Sequence, residues 1–263
     1  MGIASHRGSP ARRSAVVCLV LALGLITWYV AGVVGRSNTP GPPSPTVGNE
    51  VNAHVSPSIA TLSLQNQDGK PVDLEQFKGR VVLLVPFLTS CQEECPITTA
   101  ALLVIERAIA HDGLSKKVVI LEVTMDPGRD TPARMKAYER LTGSTWPLLT
   151  GSPATLAALW RHFGIYYQKV AEGSPPGIDW QTLRPYTYDV DHSDGFVLLD
   201  THLHERFIAG GMTAIGQIPP SLQKLLDNQG RANLQSPGAG TWTVTDALNA
   251  IGWLMGRSVP NSA

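Results

Sequence analysis

The segment 80–88 constrains the fold of this 263-residue chain more than any other. It reads RVVLLVPFL, and a strand with apolar side chains on both faces belongs inside a sheet that is covered on both sides. A second run of this kind, 117–124, follows a stretch with helical spacing, 96–111, that opens on a proline. Two more helices are predicted over 131–142 and 152–163. This alternation predicts an α/β fold in which helices lie on both faces of a central sheet.

The amino-terminal part contains a long uncharged apolar run, residues 15–35. At a rise of about 1.5 Å per residue, a helix of this length spans the hydrocarbon core of a membrane, which is about 30 Å thick. Three arginines precede the run and only Arg36 follows it closely, so the positive-inside rule places 1–14 in the cytoplasm. We expect an uncleaved single-pass anchor in a bacterial cell membrane, with the functional domain outside the cytoplasm. A cleaved signal peptide, whose apolar core would be shorter, is the alternative.

The rest of the chain divides into three predicted segments. Residues 36–57 hold five prolines with glycine and serine between them, which predicts an extended linker. The folded domain is predicted over 58–227 and a C-terminal extension over 228–263. Lys plus Arg and Asp plus Glu both number 21, so nothing favours a general nucleic-acid binder. The chain has no Walker loop and no Gly-x-Gly-x-x-Gly after a strand, so nucleotide binding has no support either.

Cys91 and Cys95 lie where the first buried strand gives way to a predicted helix. Functional sites of open α/β sheets collect at the carboxyl ends of strands, and the positive end of a helix dipole favours a thiolate. The spacing of four puts both sulfurs on one face, about one turn apart. The pair could therefore form a structural disulfide, exchange disulfides with a partner, or hold one metal ion. A structural disulfide is the least favoured, because closing a one-turn loop gains little chain entropy.

His192 is the candidate third ligand, just before the predicted strand 195–199. Two thiolates alone do not complete a zinc site, which usually takes four ligands, whereas a soft sulfur pair with one imidazole suits copper, above all Cu(I). A lone histidine is more often structural or exposed, and the composition of this segment does not raise His192 above that interpretation.

Three motifs carry a resemblance to a known family: TSCQEECP at 89–96, DPGRDTP at 126–132, and VDHS at 190–193 leading into FVLLD at 196–200. In this order and at these separations they make the chain similar to the Sco/SenC family of copper-binding proteins, over roughly residues 58–226. The resemblance implies a thioredoxin-like α/β fold, with a central mixed sheet flanked by helices, preceded by one N-terminal transmembrane helix.

The resemblance also implies copper binding by Cys91, Cys95 and His192, with the metal as Cu(I) and, in a second form, Cu(II). Members of the family deliver copper to the binuclear copper centre of cytochrome c oxidase subunit II, or keep its thiols reduced. Subunit II is therefore the expected partner, and a copper donor protein would act before it. A thiol–disulfide reductase that uses Cys91 and Cys95 as its catalytic redox pair is the alternative function. A thiol peroxidase has least support, because Pro86, Thr89 and Cys91 are too close together for the pattern Pro-x-x-x-Thr-x-x-Cys.

Several further residues have predicted roles. Asp126 and Asp130 are expected to cap the helix that begins near residue 131 rather than to contact a metal. Pro86 cannot donate to a strand ladder, which predicts a bulge or a missing bond. His202 and His204 could share one strand face and hold a metal, but short exposed histidine pairs usually bind nothing detectable. We therefore expect no metal site there.

Overall fold

The structure is a computed structural model that describes residues 40–238 and 240–261. The predicted cytoplasmic segment 1–14 and the predicted membrane anchor 15–35 lie outside these residues. None of the helices within the described ranges is both long enough and apolar enough to cross a membrane.

Twelve strands and seven helices make up the described part of the chain. The strands are β1 (Gly48–His54), β2 (Leu64–Asn66), β3 (Pro71–Val72), β4 (Val81–Phe87), β5 (Val118–Thr124), β6 (Leu148–Gly151), β7 (Tyr167–Val170), β8 (Asp189–His192), β9 (Gly195–Leu199), β10 (His204–Gly210), β11 (Thr213–Ala214) and β12 (Trp242–Thr243). The helices are α1 (Pro57–Ala60), α2 (Cys95–His111), α3 (Pro132–Thr142), α4 (Pro153–His162), α5 (Pro220–Gln223), α6 (Asn228–Gln235) and α7 (Val244–Met255). A 3₁₀ helix covers Leu74–Phe77.

Eight of the strands form one mixed sheet in the order β1-β10-β9-β4-β5-β6-β2-β3. The two apolar runs lie at its centre, where every residue of β4 and β5 is buried and the two strands pair in parallel. β6 continues the parallel part, whereas β9, β10 and β1 pair antiparallel on the other side of β4. The predicted α/β class and the central mixed sheet flanked by helices are therefore confirmed.

Side-chain caps fix where the helices after β5 begin. The hydroxyls of Thr131 and Ser152 accept the backbone N–H of Arg134 and Thr155, and a proline follows each cap at the first helical position. Thr131 is thus the cap of α3. The sequence-based prediction that Asp126 and Asp130 cap this helix is wrong. These starts leave the strand ends of the sheet free for the segment that carries the cysteines.

The folded part begins earlier and ends later than the sequence predicts. Strand β1 lies within 36–57, the stretch predicted to be an extended linker, and pairs with β10 at the edge of the sheet. Its side chains are at most half-buried, and its short alternation of Val51 and Ala53 with polar residues lies within a proline-rich stretch. Within the predicted extension 228–263 the chain forms α6 and α7, and α7 buries an apolar face and contacts α2. Both helices belong to the same compact unit as the sheet.

Pro86 leaves one side of β4 intact. The ladder to β5 is continuous from Val81 to Phe87 without a bulge, but the pairing with β9 runs only from Val82 to Leu84 and stops before the proline. The missing bonds that the sequence predicts therefore lie on the β9 side alone, and the strand still runs straight to the segment that carries Cys91.

Candidate metal centre

Cys91 and Cys95 meet at the amino terminus of α2. Cys95 is the first residue of the helix and is buried, and Cys91 lies half-buried in the preceding loop. The N-cap residue Glu94 makes no side-chain cap; instead the backbone N–H groups of Glu94 and Cys95 donate to the Cys91 sulfur, at 3.4 and 3.3 Å. The Cys91 sulfur thus takes the place of a capping oxygen on helix donors that would otherwise lack a partner.

His192 reaches the same place from the end of β8. The ligand atoms of Cys91, Cys95 and His192 all lie within 4.8 Å of one another, and within the described ranges this is the one such group of three or more His, Cys, Asp or Glu side chains. The Nδ1 atom of His192 lies 3.4 Å from the Ser193 carbonyl oxygen and 3.5 Å from the Asp194 carboxylate. These contacts leave Nε2 available to a metal. The structure therefore brings together the three side chains that the sequence singled out.

The two sulfurs differ in their affinity for a proton. The hydrogen bond from Cys95 lowers the pKa of Cys91 well below its ordinary value, with help from the charge of His192, although burial opposes it. The same pair interaction, together with burial, raises the pKa of Cys95 well above its ordinary value. Burial acts to lower the pKa of His192, but its contact with Cys91 raises it to about 9. Metal binding at neutral pH must therefore release protons.

Carboxyl groups surround the centre. The groove that holds Cys91 and His192 is also lined by Glu93, Glu94 and Asp194. Burial, with the hydrogen bond to Asp194, raises the pKa of Glu94 to about 8, and burial with the nearby Asp227 raises that of Glu93 to about 7. A cation that enters this groove meets groups that gain stability from positive charge.

A buried polar network supports the strand end beneath the cysteines. Asp130 accepts hydrogen bonds from the backbone N–H and the hydroxyl of Thr89, the latter at 2.5 Å. Arg134 donates to the same hydroxyl and, at 2.7 Å, to Asp179 of the loop after β7. The indole N–H of Trp180 donates to the Thr89 carbonyl at 2.8 Å. Asp130, which lies just before α3, therefore holds in place the loop that contains Thr89. Asp126 pairs locally with Arg129, as expected for a residue without metal contact.

Two outer segments hold the loop between the cysteines. The amide of Gln92 donates to the Ile178 carbonyl at 3.2 Å, and the Gln92 carbonyl accepts from the backbone N–H of Asp227 at 3.1 Å. Helix α6 lies so close that a Cβ added at Gly230 would be 2.3 Å from the Gln92 oxygen and 3.0 Å from the Glu93 Cα. No sequence pattern predicts this contact, because a glycine in a polar helix carries no signal that points to a distant loop.

Comparison with known proteins identifies the family of this chain. A family model described as SCO1/SenC matches residues 53–217, well over half of the chain. The chain belongs to the SCO1/SenC family. The matched region includes all three members of the cysteine–histidine group and ends before α6 and α7.

Similar proteins come from distant organisms. The SCO1 protein homologue of Bacillus subtilis is 27% identical over 156 residues, which are 58% of this chain and 78% of that protein. The mitochondrial SCO2 homologue of Bos taurus is 32% identical over 143 residues, 52% of this chain and 48% of that protein. Among solved structures, Arabidopsis thaliana ScoI with copper bound is 26% identical with a TM-score of 0.48, over 62% of this chain and 91% of that chain.

Proposed function

We propose that this protein is a membrane-tethered copper chaperone that binds the metal through Cys91, Cys95 and His192. It delivers copper to the binuclear copper centre of cytochrome c oxidase subunit II. The observation that carries this proposal is the group of two sulfurs and one imidazole nitrogen within 4.8 Å. Copper is the cargo here, received from a donor protein and passed on.

The donor set fits copper better than zinc. Thiolates are soft ligands that select Cu(I), and an imidazole also suits copper, whereas zinc is held by four ligands in structural sites. Within the described residues no fourth His, Cys, Asp or Glu joins the group. The set is therefore one protein ligand short of a structural zinc site.

Family membership and the sequence support the remaining parts of the proposal. The Sco/SenC resemblance implies the oxidase and its subunit II as recipient. The apolar run 15–35 would hold the protein in the bacterial cell membrane, with the N-terminus in the cytoplasm and the metal centre outside. The chaperone would then work outside the cytoplasm, and the short linker would keep it near other membrane proteins.

Anaerobic titration of the full chain in detergent micelles tests the metal site. We expect one Cu(I) per chain, and X-ray absorption should report two sulfurs and one nitrogen around it. The Cys18→Ser variant, which changes the one cysteine outside the group, is the matched control and should bind equally well. A shell of four sulfurs, or of nitrogen alone, would contradict the assignment.

A thiol–disulfide reductase is the second candidate, and the opposite pKa directions of the two cysteines favour it. The Cys91 thiolate would attack a partner disulfide and release one partner thiol. Cys95 would then attack the mixed disulfide, release the second thiol, and leave a Cys91–Cys95 disulfide. Two electrons pass to the partner and none pass through His192.

The His192→Ala variant separates these two functions. In a copper site the imidazole is a ligand, so its loss should prevent assembly of the oxidase copper centre in cells that lack the native protein and grow on limited copper. In a reductase it only tunes the Cys91 thiolate, so reduction of a test disulfide should fall modestly. Cys95→Ser should abolish both activities. Full oxidase assembly with His192→Ala would favour the reductase.

A further inference from the structure

A cluster of histidines lies at the end of the sheet opposite the cysteines. β4 runs toward Cys91, and β9 pairs antiparallel to it with Leu199 opposite Val82. The turn after β9 therefore lies beside the first residues of β4. It contains His202, and His204 follows as the first residue of β10; neither belongs to the cysteine group.

The turn that presents these histidines is fixed by its own backbone. One oxygen of the Asp200 carboxylate accepts the backbone N–H of His202 at 2.9 Å and that of His204 at 3.0 Å. Leu203 adopts a φ of 61°, which is unusual for a side chain other than glycine, and its side chain is buried. Because Leu203 points inward, the histidines on either side of it are directed to the surface.

Strand β1 adds a third histidine that the sequence does not place there. His54, the last residue of β1, pairs directly with His204 of β10. The ring centres of His54 and His204 are 4.2 Å apart, and those of His202 and His204 are 6.2 Å apart. Three of the seven histidines of the chain thus meet at one exposed edge.

The spacing of these rings suits a shared metal. Two imidazoles that bind one tetrahedral metal through bonds of about 2.0 Å have ring centres about 5 Å apart. The two observed distances lie on either side of that value. The ligand atoms of the three rings do not yet lie within 4.8 Å of one another, so a shared ion requires side-chain rotation, which their place at the surface permits. His204 Nδ1 lies 3.7 Å from the second Asp200 oxygen, which also accepts from Arg206, and His54 Nδ1 lies 3.3 Å from the Val55 carbonyl. Each contact leaves Nε2 of the ring to face a metal.

We propose that His54, His202 and His204 form a second metal site, for a divalent transition-metal ion, at the edge of the sheet opposite the cysteines. The site offers only imidazole nitrogens, with water to complete the shell, so it lacks the soft sulfurs that select Cu(I). Among divalent ions the affinity of nitrogen sites is greatest for Cu(II), which we expect to bind more tightly than Zn(II). The site does not depend on the proposed chaperone function.

Cu(II) titration of the full chain in detergent micelles tests the site. The background variant is Cys91→Ser/Cys95→Ser/His192→Ala/His6→Ala, which removes the first centre and the histidine nearest the N-terminus. We expect one equivalent of Cu(II) whose paramagnetic resonance spectrum shows imidazole nitrogen coupling, with weaker binding of Zn(II). Adding His54→Ala or His204→Ala should each weaken Cu(II) binding by at least about tenfold, because a ligand contributes at least as much as an outer-shell partner.

The matched control is His111→Ala on the same background, since His111 is an exposed histidine at the end of α2. It should leave the Cu(II) affinity unchanged. The His54→Gln variant keeps a polar side chain at the strand end, and circular dichroism should show that it folds like the background. Unchanged Cu(II) affinity in folded His54→Gln and His204→Ala proteins, or a spectrum without imidazole nitrogen, would overturn the proposal. Cu(I) binding at Cys91 and Cys95 does not influence these Cu(II) measurements, because the background variant lacks both cysteines.

Discussion

The two ends of the central sheet hold histidines in contrasting surroundings. At the cysteine end, His192 meets two sulfurs, Cys95 is buried, and helix N–H groups support the Cys91 sulfur. At the other end, His54 contacts the imidazole of His204, no sulfur lies nearby among the described cysteines, and it stands at an exposed strand end. The first site is held in place by backbone and burial, whereas the second depends on surface side chains that rotate. From the two proposed sites we predict that preorganisation and ligand softness together direct Cu(I) to the cysteine end and Cu(II) to the histidine end.

Removal of the Cys91 sulfur should have the largest effect and should act at one end only. Cys91→Ser should lower the Cu(I) affinity by at least about a thousandfold, or about 4 kcal/mol, because a hydroxyl is a poor ligand for a soft ion. Competition with a chromophoric Cu(I) chelator measures this loss. Cu(II) binding at the histidine cluster, measured by paramagnetic resonance, should not change. A loss of Cu(II) binding equal to the loss of Cu(I) binding would contradict the independence of the two sites.

Breaking one ion pair at each end of the sheet should show how strongly burial changes the cost in stability of losing that pair. Arg134 is nearly buried between Asp130 and Asp179, so Arg134→Met should destabilise the protein by about 3–5 kcal/mol, since it leaves buried charge without a partner. Arg206 pairs with Asp200 at the surface, and Arg206→Met should cost at most about 1 kcal/mol. Urea unfolding of the two variants measures both values. Similar costs would contradict the assigned difference in burial.

Glu122, a buried carboxyl group near the cysteine end, and Asp200 at the other end should contribute to the pH dependence of stability with opposite signs. Burial raises the pKa of Glu122 to about 7, against an ordinary value of 4.5, although Trp146 and Thr99 donate to it. Its folded state binds the proton more tightly than the unfolded state. The stability it contributes is thus full below pH 4.5 and is lost as the pH rises through about 7. The difference of 7 − 4.5, about 2.5 pH units, corresponds to about 3 kcal/mol.

The Glu122→Gln variant removes this titration. Its carbonyl can accept from Trp146, and its amide can donate to the Thr99 hydroxyl, which then donates to Tyr138 instead of accepting from it. We expect it to match the parent at pH 4.5 and to exceed it at pH 8 in urea unfolding. Asp200 has the opposite sign: backbone N–H donors lower its pKa against the effect of burial, so its contribution is lost as the pH falls. A stability advantage of Glu122→Gln over the parent that does not grow from pH 5 to 8 would contradict the assignment for Glu122.

The sequence predicted the parts of the molecule that have a local pattern. Buried runs marked β4 and β5, and the strand–helix junction marked Cys91 and Cys95 as a functional pair. His192 came only from the family resemblance, because nothing in its own segment distinguishes a ligand from an exposed histidine. β1 was missed because its short alternation of Val51 and Ala53 with polar residues lies within a proline-rich stretch that favours a linker. His54 was missed with it, since only the pairing with β10 brings it to His204.

The packing of α6 on the cysteine loop was beyond any local pattern, and Gly230 provides its test. Glycine to alanine within a helix ordinarily stabilises by about 0.5–1 kcal/mol. At Gly230 the added Cβ would be 2.3 Å from the Gln92 oxygen and 3.0 Å from the Glu93 Cα, both backbone atoms between the cysteines. The helix or the loop must therefore shift, and Gly230→Ala should destabilise the protein and weaken Cu(I) binding by about tenfold, or 1.4 kcal/mol.

Ala232→Gly, at an exposed position of the same helix, is the matched control. It should lose about 1 kcal/mol of stability through helix propensity but keep the parent Cu(I) affinity, because it leaves the contact with Gln92 in place. Competition for Cu(I) and urea unfolding on both variants then distinguish a weaker helix from a displaced loop. If Gly230→Ala bound Cu(I) as tightly as Ala232→Gly, the helix would only cover the loop. In that case the order at the cysteine end would come from the N–H groups of α2 and the network beneath Thr89, without help from residues beyond the family match.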